Sequence, residues 1–191
     1  EVSGVGFGVP GPVTREGIIQ MNANLGWRNK HVAKELGELT GLPCMGGNDV
    51  KTAGLGEMWK GGAAEYDNAV FITLGTGVAA AIIVEGKVIL GAMGAAGEVG
   101  HIKVNMEETV ACGCGGVGCA EQYASATGIV RMAKNKLEEC DTPSVLRDAE
   151  VTSKAVFDAY KAGDELATEV VEKFGHYLGY SLAATAAVVD P

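Results

Sequence analysis

The chain has 191 residues, 47% of them hydrophobic and 20% charged, a globular composition long enough for one domain of fair size or two small ones. A formal net charge of −9 excludes the basic face that phosphate backbones and anionic bilayers demand, so neither a nucleic acid nor a membrane surface is expected as a partner. Glycine, at 29 residues against 5 prolines, points to tight turns and close backbone approaches rather than a disordered linker.

Residues 2–9 are small and β-branched and predict a buried strand, closed by the turn Pro10-Gly11-Pro12. Val13 to Met21 predicts a hairpin around Arg15-Glu16-Gly17. Asn29 is the expected cap of a helix over 30–40, with Val32, Ala33, Leu36 and Leu39 on one face and Gly41 as its stop. A short strand over 42–46 leads to Gly46-Gly47-Asn48-Asp49, where Asn48 or Asp49 caps a second helix over 50–60. The apolar run 69–74 and the run 78–84 predict two strands joined directly by Gly75-Thr76-Gly77, and Glu85-Gly86-Lys87 turns into a third over 87–90. That pattern is a β-meander and not a βαβ crossover. Helices are expected over 120–139, from Thr152 or Ser153 to about Gly163, and over 165–189, the last burying Leu166, Val170, Phe174, Leu178 and Leu182. The class is α/β with antiparallel or mixed sheet elements.

The feature with most chemical content is His101 followed by Cys112, Cys114 and Cys119, in G-E-V-G-H and then C-G-C-G-G-V-G-C. One imidazole and three thiols complete a tetrahedral zinc set, and a closed set of this kind is structural. The competing reading, buried thiols or disulfides, must accommodate 5 cysteines, an odd number, with no secretory signal. Cys44 and Cys140 stand apart as ordinary core or surface residues. Free thiols without a targeting segment lead us to expect a cytoplasmic protein. Glu98 and Glu121 flank the cluster in sequence; two readings fit each, a sugar-hydroxyl acceptor or a solvated charge near a helix start. Asp49 is open in the same way between a helix cap and a general base. Gly75-Thr76-Gly77 reads either as a tight hairpin or as a phosphate-holding loop. Trp27, Trp59 and Tyr123 are expected in packing. The chain begins with a strand under way and ends at Asp190-Pro191 without a cap or tail, so a piece of a longer protein is expected.

The motifs G-V-P-G-P-V (8–13), N-L-G-W (24–27), G-N-D-V (47–50), L-G-T-G-V (74–78), G-E-V-G-H (97–101), C-G-C-G-x-x-G-C (112–119) and E-Q-Y-A-S (121–125) occur in this order. Together they resemble the ROK family of sugar kinases and regulators, its bacterial glucokinases in particular, over essentially the whole chain. The resemblance implies an actin-like, hexokinase-like ATPase fold (ribonuclease H-like): two α/β lobes around a cleft, both incomplete here. Residues 1–62 would be the remainder of a small N-terminal lobe and 63–191 part of a large C-terminal lobe with the zinc motif. It implies transfer of phosphate from ATP, with Mg2+, to the 6-hydroxyl of glucose, a step of glycolysis. By the same resemblance Asp49 is the base and Gly11, Asn48, Glu98, His101 and Glu121 are sugar contacts. Gly75, Thr76 and Gly77 form a phosphate loop, and His101, Cys112, Cys114 and Cys119 hold zinc. A homodimer is the family expectation. An N-acetylmannosamine kinase, a fructokinase and the sugar-sensing domain of a ROK repressor are the rival implications. The sequence departs from the family in placing Ala79, Ala80 and Ala81 where glycines are usual and in lacking an N-terminal D-x-G-G-T hairpin. This chain by itself is therefore expected to phosphorylate little or nothing.

Overall fold

The computed structural model describes residues 1–14, 16–22 and 25–191. The chain divides into two compact units, one of residues 1–72, 80–97 and 191, the other of residues 73–79 and 98–190.

In the first unit β1 (Val5–Val9) pairs in parallel with β4 (Cys44–Asn48), Val9 lying opposite Asn48. Parallel neighbours need a crossover. The chain between them supplies a hairpin, β2 (Ile19–Asn22) and β3 (Trp27–Lys30), and helix α1 (Val32–Thr40). Val9, Val13, Ile19 and Val32 form a small core, with Phe7, Trp27 and Leu36 packed against it. Helix α2 (Asp49–Lys60) starts directly at the end of β4. The meander β5 (Ala69–Leu74), β6 (Val78–Val84) and β7 (Lys87–Val88) has the expected order. Its β5–β6 turn, residues 73–79, belongs to the second unit. Ala80 and Ala81 are buried, and Ala81 lies so close to Gly54 of α2 that a Cβ there would come within 2.4 Å of it. The Ala81 methyl fills space between β6 and α2.

The second unit is helical. Helices α3 (Glu121–Ala124), α4 (Ala126–Glu139), α5 (Ser153–Lys161) and α6 (Glu165–Val189) enclose a core of Tyr123, Ile129, Met132, Leu146, Val156, Leu166 and Val170. Arg147 closes the end of α4, donating to the carbonyls of Leu137, Cys140 and Thr142. Asp164 caps α6, accepting from the Ala167 amide at 2.9 Å.

Four local expectations are corrected. Asn29 is not a helix cap: it sits in β3 with φ 47°, and α1 starts after His31, which makes no side-chain cap bond. The helix expected over 120–139 is two helices, because Ser125 is extended and its hydroxyl caps α4 by accepting from Gly128 at 2.9 Å. Trp59 is 77% exposed and lies outside the core, with the Lys60 ammonium 5.8 Å from its ring centre. On α6 the buried stripe passes through Ser181 and Thr185, leaving Leu182 40% exposed. The hairpin expected around residues 15–17 and the start of N-L-G-W fall partly on Arg15 and Asn24, outside the described residues; beside them Val13 bridges Ile19 and the Gly17 amide donates to Thr14.

Candidate functional site

In the first unit the site residues collect where β4 becomes α2. Asn48 is buried and is the cap: its side-chain oxygen accepts from the Lys51 amide at 3.1 Å. Its Nδ2 donates to the Gly11 carbonyl at 3.1 Å and to Asp49 Oδ1 at 3.0 Å. The Val50 amide also donates to Asp49 Oδ1, at 2.9 Å. Asp49 is exposed, and its Oδ2 carries no hydrogen bond among the described residues. One oxygen therefore fixes the carboxylate and the other is available. The cap-or-base question has a divided answer: Asn48 caps, and Asp49 presents a charge to solvent at a helix N-terminus, where the dipole favours it. Asn22 donates to the Pro10 carbonyl and so fastens the turn that carries Gly11. Lys51, buried, donates to the Gly94 carbonyl and so holds the glycine-rich loop ahead of Glu98. Nothing in the local sequence pattern marked Lys51 as internal.

In the second unit His101, Cys112, Cys114 and Cys119 present ligand atoms that all lie within 4.8 Å of one another. Cys114 and Cys119 sulfurs are 3.6 Å apart, and Cys112 Sγ is 3.8 Å from His101 Nδ1. Zinc–sulfur bonds of about 2.3 Å in a tetrahedron separate sulfurs by about 3.8 Å, so the donor set fits that ion in type, number and spacing. Burial pushes the Cys112 thiol up to about 11, while the backbone of Gly116 leads in drawing Cys114 below the usual thiol range. Lys103, not foreseen from the sequence, donates through Nζ to Cys119 Sγ at 3.1 Å and faces the charge that three thiolates would carry.

With Nδ1 turned to the cysteines, His101 turns Nε2 toward Glu98, 4.0 Å from Oε2. That gap is too wide for a direct hydrogen bond and suits a hydroxyl oxygen about 2.8 Å from each. Both glycines of G-E-V-G-H are required by β6: a Cβ at Gly97 would meet the Ala80 carbonyl oxygen at 2.0 Å, and one at Gly100 that of Val78 at 2.2 Å.

Residues 121–123, just past the last cysteine of the cluster, each hold a different segment. Glu121 Oε2 accepts from the Val78 amide at 3.1 Å, just past the Gly-Thr-Gly turn. Gln122 accepts from the Cys119 amide at 3.1 Å and donates to the Val110 carbonyl at 2.8 Å, closing the cysteine loop at both ends. Tyr123 donates to Glu108 at 2.6 Å, and Arg131 donates to the same carboxylate at 2.9 Å. Gly75 and Thr76 are exposed at the tip of the turn. The Gly75 amide bonds the Gly77 carbonyl at 3.0 Å, whereas the amides of Thr76 and Gly77 have no partner among the described residues. Gln122 and Tyr123 went unassigned as tethers because a helix start gives no hint of which loops its side chains reach.

The sequence profile of the ROK family matches residues 1–191. The chain belongs to the ROK family. It is 40% identical over 196 aligned residues to a glucokinase of Halalkalibacterium halodurans, covering 100% of this chain and 59% of that protein. The chain thus spans about three-fifths of the length of this curated relative. Among solved structures it is similar to a ROK glucokinase from Streptomyces griseus in complex with glucose and AMPPNP (TM-score 0.85, 32% identity, 100% of this chain and 64% of that one). It is also similar to a ROK transcriptional regulator homologous to the Escherichia coli MLC protein (TM-score 0.91, 30% identity, 99% of this chain and 48% of that one). The fold is the actin-like, hexokinase-like ATPase fold of that family, present in part. Among the described residues no helix is long and apolar enough to cross a membrane.

Proposed function

We propose that the full-length protein is an ATP-dependent hexose kinase that converts glucose to glucose 6-phosphate. The observation that carries this is Asp49, an exposed carboxylate fixed through one oxygen and open at the other, in a family whose glucokinases are similar to it. A base needs that arrangement, and a sugar sensor does not. Asp49 takes the proton of the attacking hydroxyl as its oxygen bonds the γ-phosphorus and the bond from that phosphorus to the β–γ bridging oxygen breaks, releasing ADP. Glu98 and His101 share a hydroxyl across their 4.0 Å gap. Asn48, Gly11 and Glu121 complete the sugar contacts. Gly75, Thr76 and Gly77 offer amides and a hydroxyl to phosphate oxygens; Mg2+ offsets the remaining charge when bound. In such transfers positioning and electrostatics supply most of the acceleration. His101, Cys112, Cys114 and Cys119 would hold zinc, which when bound would keep the imidazole aimed. The same reading makes residues 1–62 part of a small lobe and 63–191 part of a large one, in a cytoplasmic homodimer that works in glycolysis.

A second reading, the sugar-sensing domain of a repressor, is favoured by the likeness to a ROK regulator. Steady-state kinetics of the full-length protein with ATP against glucose, fructose and N-acetylmannosamine separate the readings. Turnover highest on glucose supports the first. Preference for another sugar reassigns the substrate, and sugar binding without turnover supports the sensor.

A further inference from the structure

We infer that Thr127 is a positioning residue for the phosphate loop, setting the direction of the amides that Gly75-Thr76-Gly77 presents to a nucleotide. This rests on the reading of that turn as a phosphate loop. A glycine turn between two strands has many conformations open to it, and here the start of α4 selects one. The Gly75 carbonyl accepts from the Ala126 amide at 2.8 Å, and the Thr76 carbonyl accepts from the Thr127 hydroxyl at 2.9 Å. In a trans peptide the carbonyl and the amide hydrogen point in opposite directions. Drawing the Gly75 carbonyl toward α4 turns the Thr76 N–H away from it. Drawing the Thr76 carbonyl the same way turns the Gly77 N–H away. These are the two amides of the turn that have no partner among the described residues.

The lower side of the turn is held as firmly. Glu121 takes the Val78 amide, and its carboxylate occupies the place of a side chain at Gly77, where a Cβ would fall 2.2 Å from Oε2. The Ala126 contact is made by backbone and any residue would supply it. The Thr127 contact is made by a hydroxyl. Thr127 is exposed in the first turn of α4, and its hydroxyl also lies 2.9 Å from that of Ser125, the cap of that helix, so the serine variant, which keeps both contacts, is the control for a change at the cap. Loop and metal knuckle are thus joined through one short segment, residues 121–127.

The test compares Thr127→Val, which keeps shape and loses the hydroxyl, with Thr127→Ser, which keeps the hydroxyl, in the full-length protein. Thr127→Val is expected to raise the KM for ATP roughly three- to tenfold, the weight of one hydrogen bond, with the sugar KM within about twofold of wild type. Thr127→Ser is expected to restore the ATP value. An unchanged ATP KM in Thr127→Val, a parallel rise in sugar KM, or failure of serine to rescue overturns the inference while leaving the kinase reading in place. A wild-type protein that neither turns over ATP with any hexose nor binds AMPPNP removes the phosphate-loop reading, and this inference with it.

Discussion

Glu108 lies ahead of the first cysteine of the cluster and is largely covered, yet ionised. Burial acts to raise its carboxyl, but hydrogen bonds from Tyr123 and the Val110 amide, with the Arg131 guanidinium, outweigh it and hold the group at about 2. The unfolded carboxyl titrates near 4.5, so this stabilisation is complete above that pH and fades as pH falls from there toward 2. With solvent screening allowed for, it is worth about 1–2 kcal/mol. Glu108→Gln is expected to lose that amount at neutral pH, and the gap to wild type in urea unfolding is expected to close through the acid window. A gap that stays constant there would remove the network from the account. Lys103 is judged by another readout. Its contact with Cys119 offsets thiolate charge, so Lys103→Met is expected to release zinc to a chelator about tenfold faster, followed with a colorimetric dye. An unchanged release rate would leave Lys103 without a part in the cluster. Neither residue was legible beforehand. A lysine among alternating apolar residues reads as a surface charge, and only the fold brings residue 103 beside residue 119.

At the scale of elements, strands β5 and β6 were legible to the residue because continuous apolar runs bounded by glycine leave little choice. Helix α6 was legible because Asp164 caps it and a long periodic stretch follows. The hairpin β2–β3 was not read: the hairpin expected over 13–21 turns earlier in the chain, and four-residue strands carry almost no periodic signal. The break at Ser125 was missed because helix formers on both sides mask a single extended residue. That break matters, for it places a helix start beneath the Gly75–Gly77 turn. Gly77→Ala probes the same contact from the loop side. Its Cβ would displace the Glu121 carboxylate and cost the Val78 hydrogen bond, so the ATP KM is expected to rise roughly tenfold in steady-state assays of the full-length protein. A tolerated alanine would show that the close approach at Gly77 is dispensable.

For the whole molecule, the His101–cysteine cluster could be singled out from spacing and residue type, and Asp49 stayed open between cap and base until the family resemblance named it; the contacts that tether the loops could not be read, because they are products of tertiary packing. Full-length protein is expected to carry one zinc per chain by elemental analysis. Its thiols, Cys112 above all, must give up protons to bind, so the affinity is expected to fall as pH falls. Chelation is expected to make residues 103–119 sensitive to protease, since Gln122 then closes a loop with nothing at its centre. A zinc-free protein with an intact, resistant loop would contradict the metal assignment. The 191-residue chain alone is expected to release little or no glucose-dependent ADP.

The most direct test of the kinase reading is the turnover number of the full-length Asp49→Asn protein on glucose and ATP. Asparagine keeps a side-chain oxygen for the Asn48 and Val50 bonds but cannot take the proton. The account predicts a fall in kcat of about 10²–10⁴-fold with glucose affinity little changed. Turnover within a few-fold of wild type would contradict it.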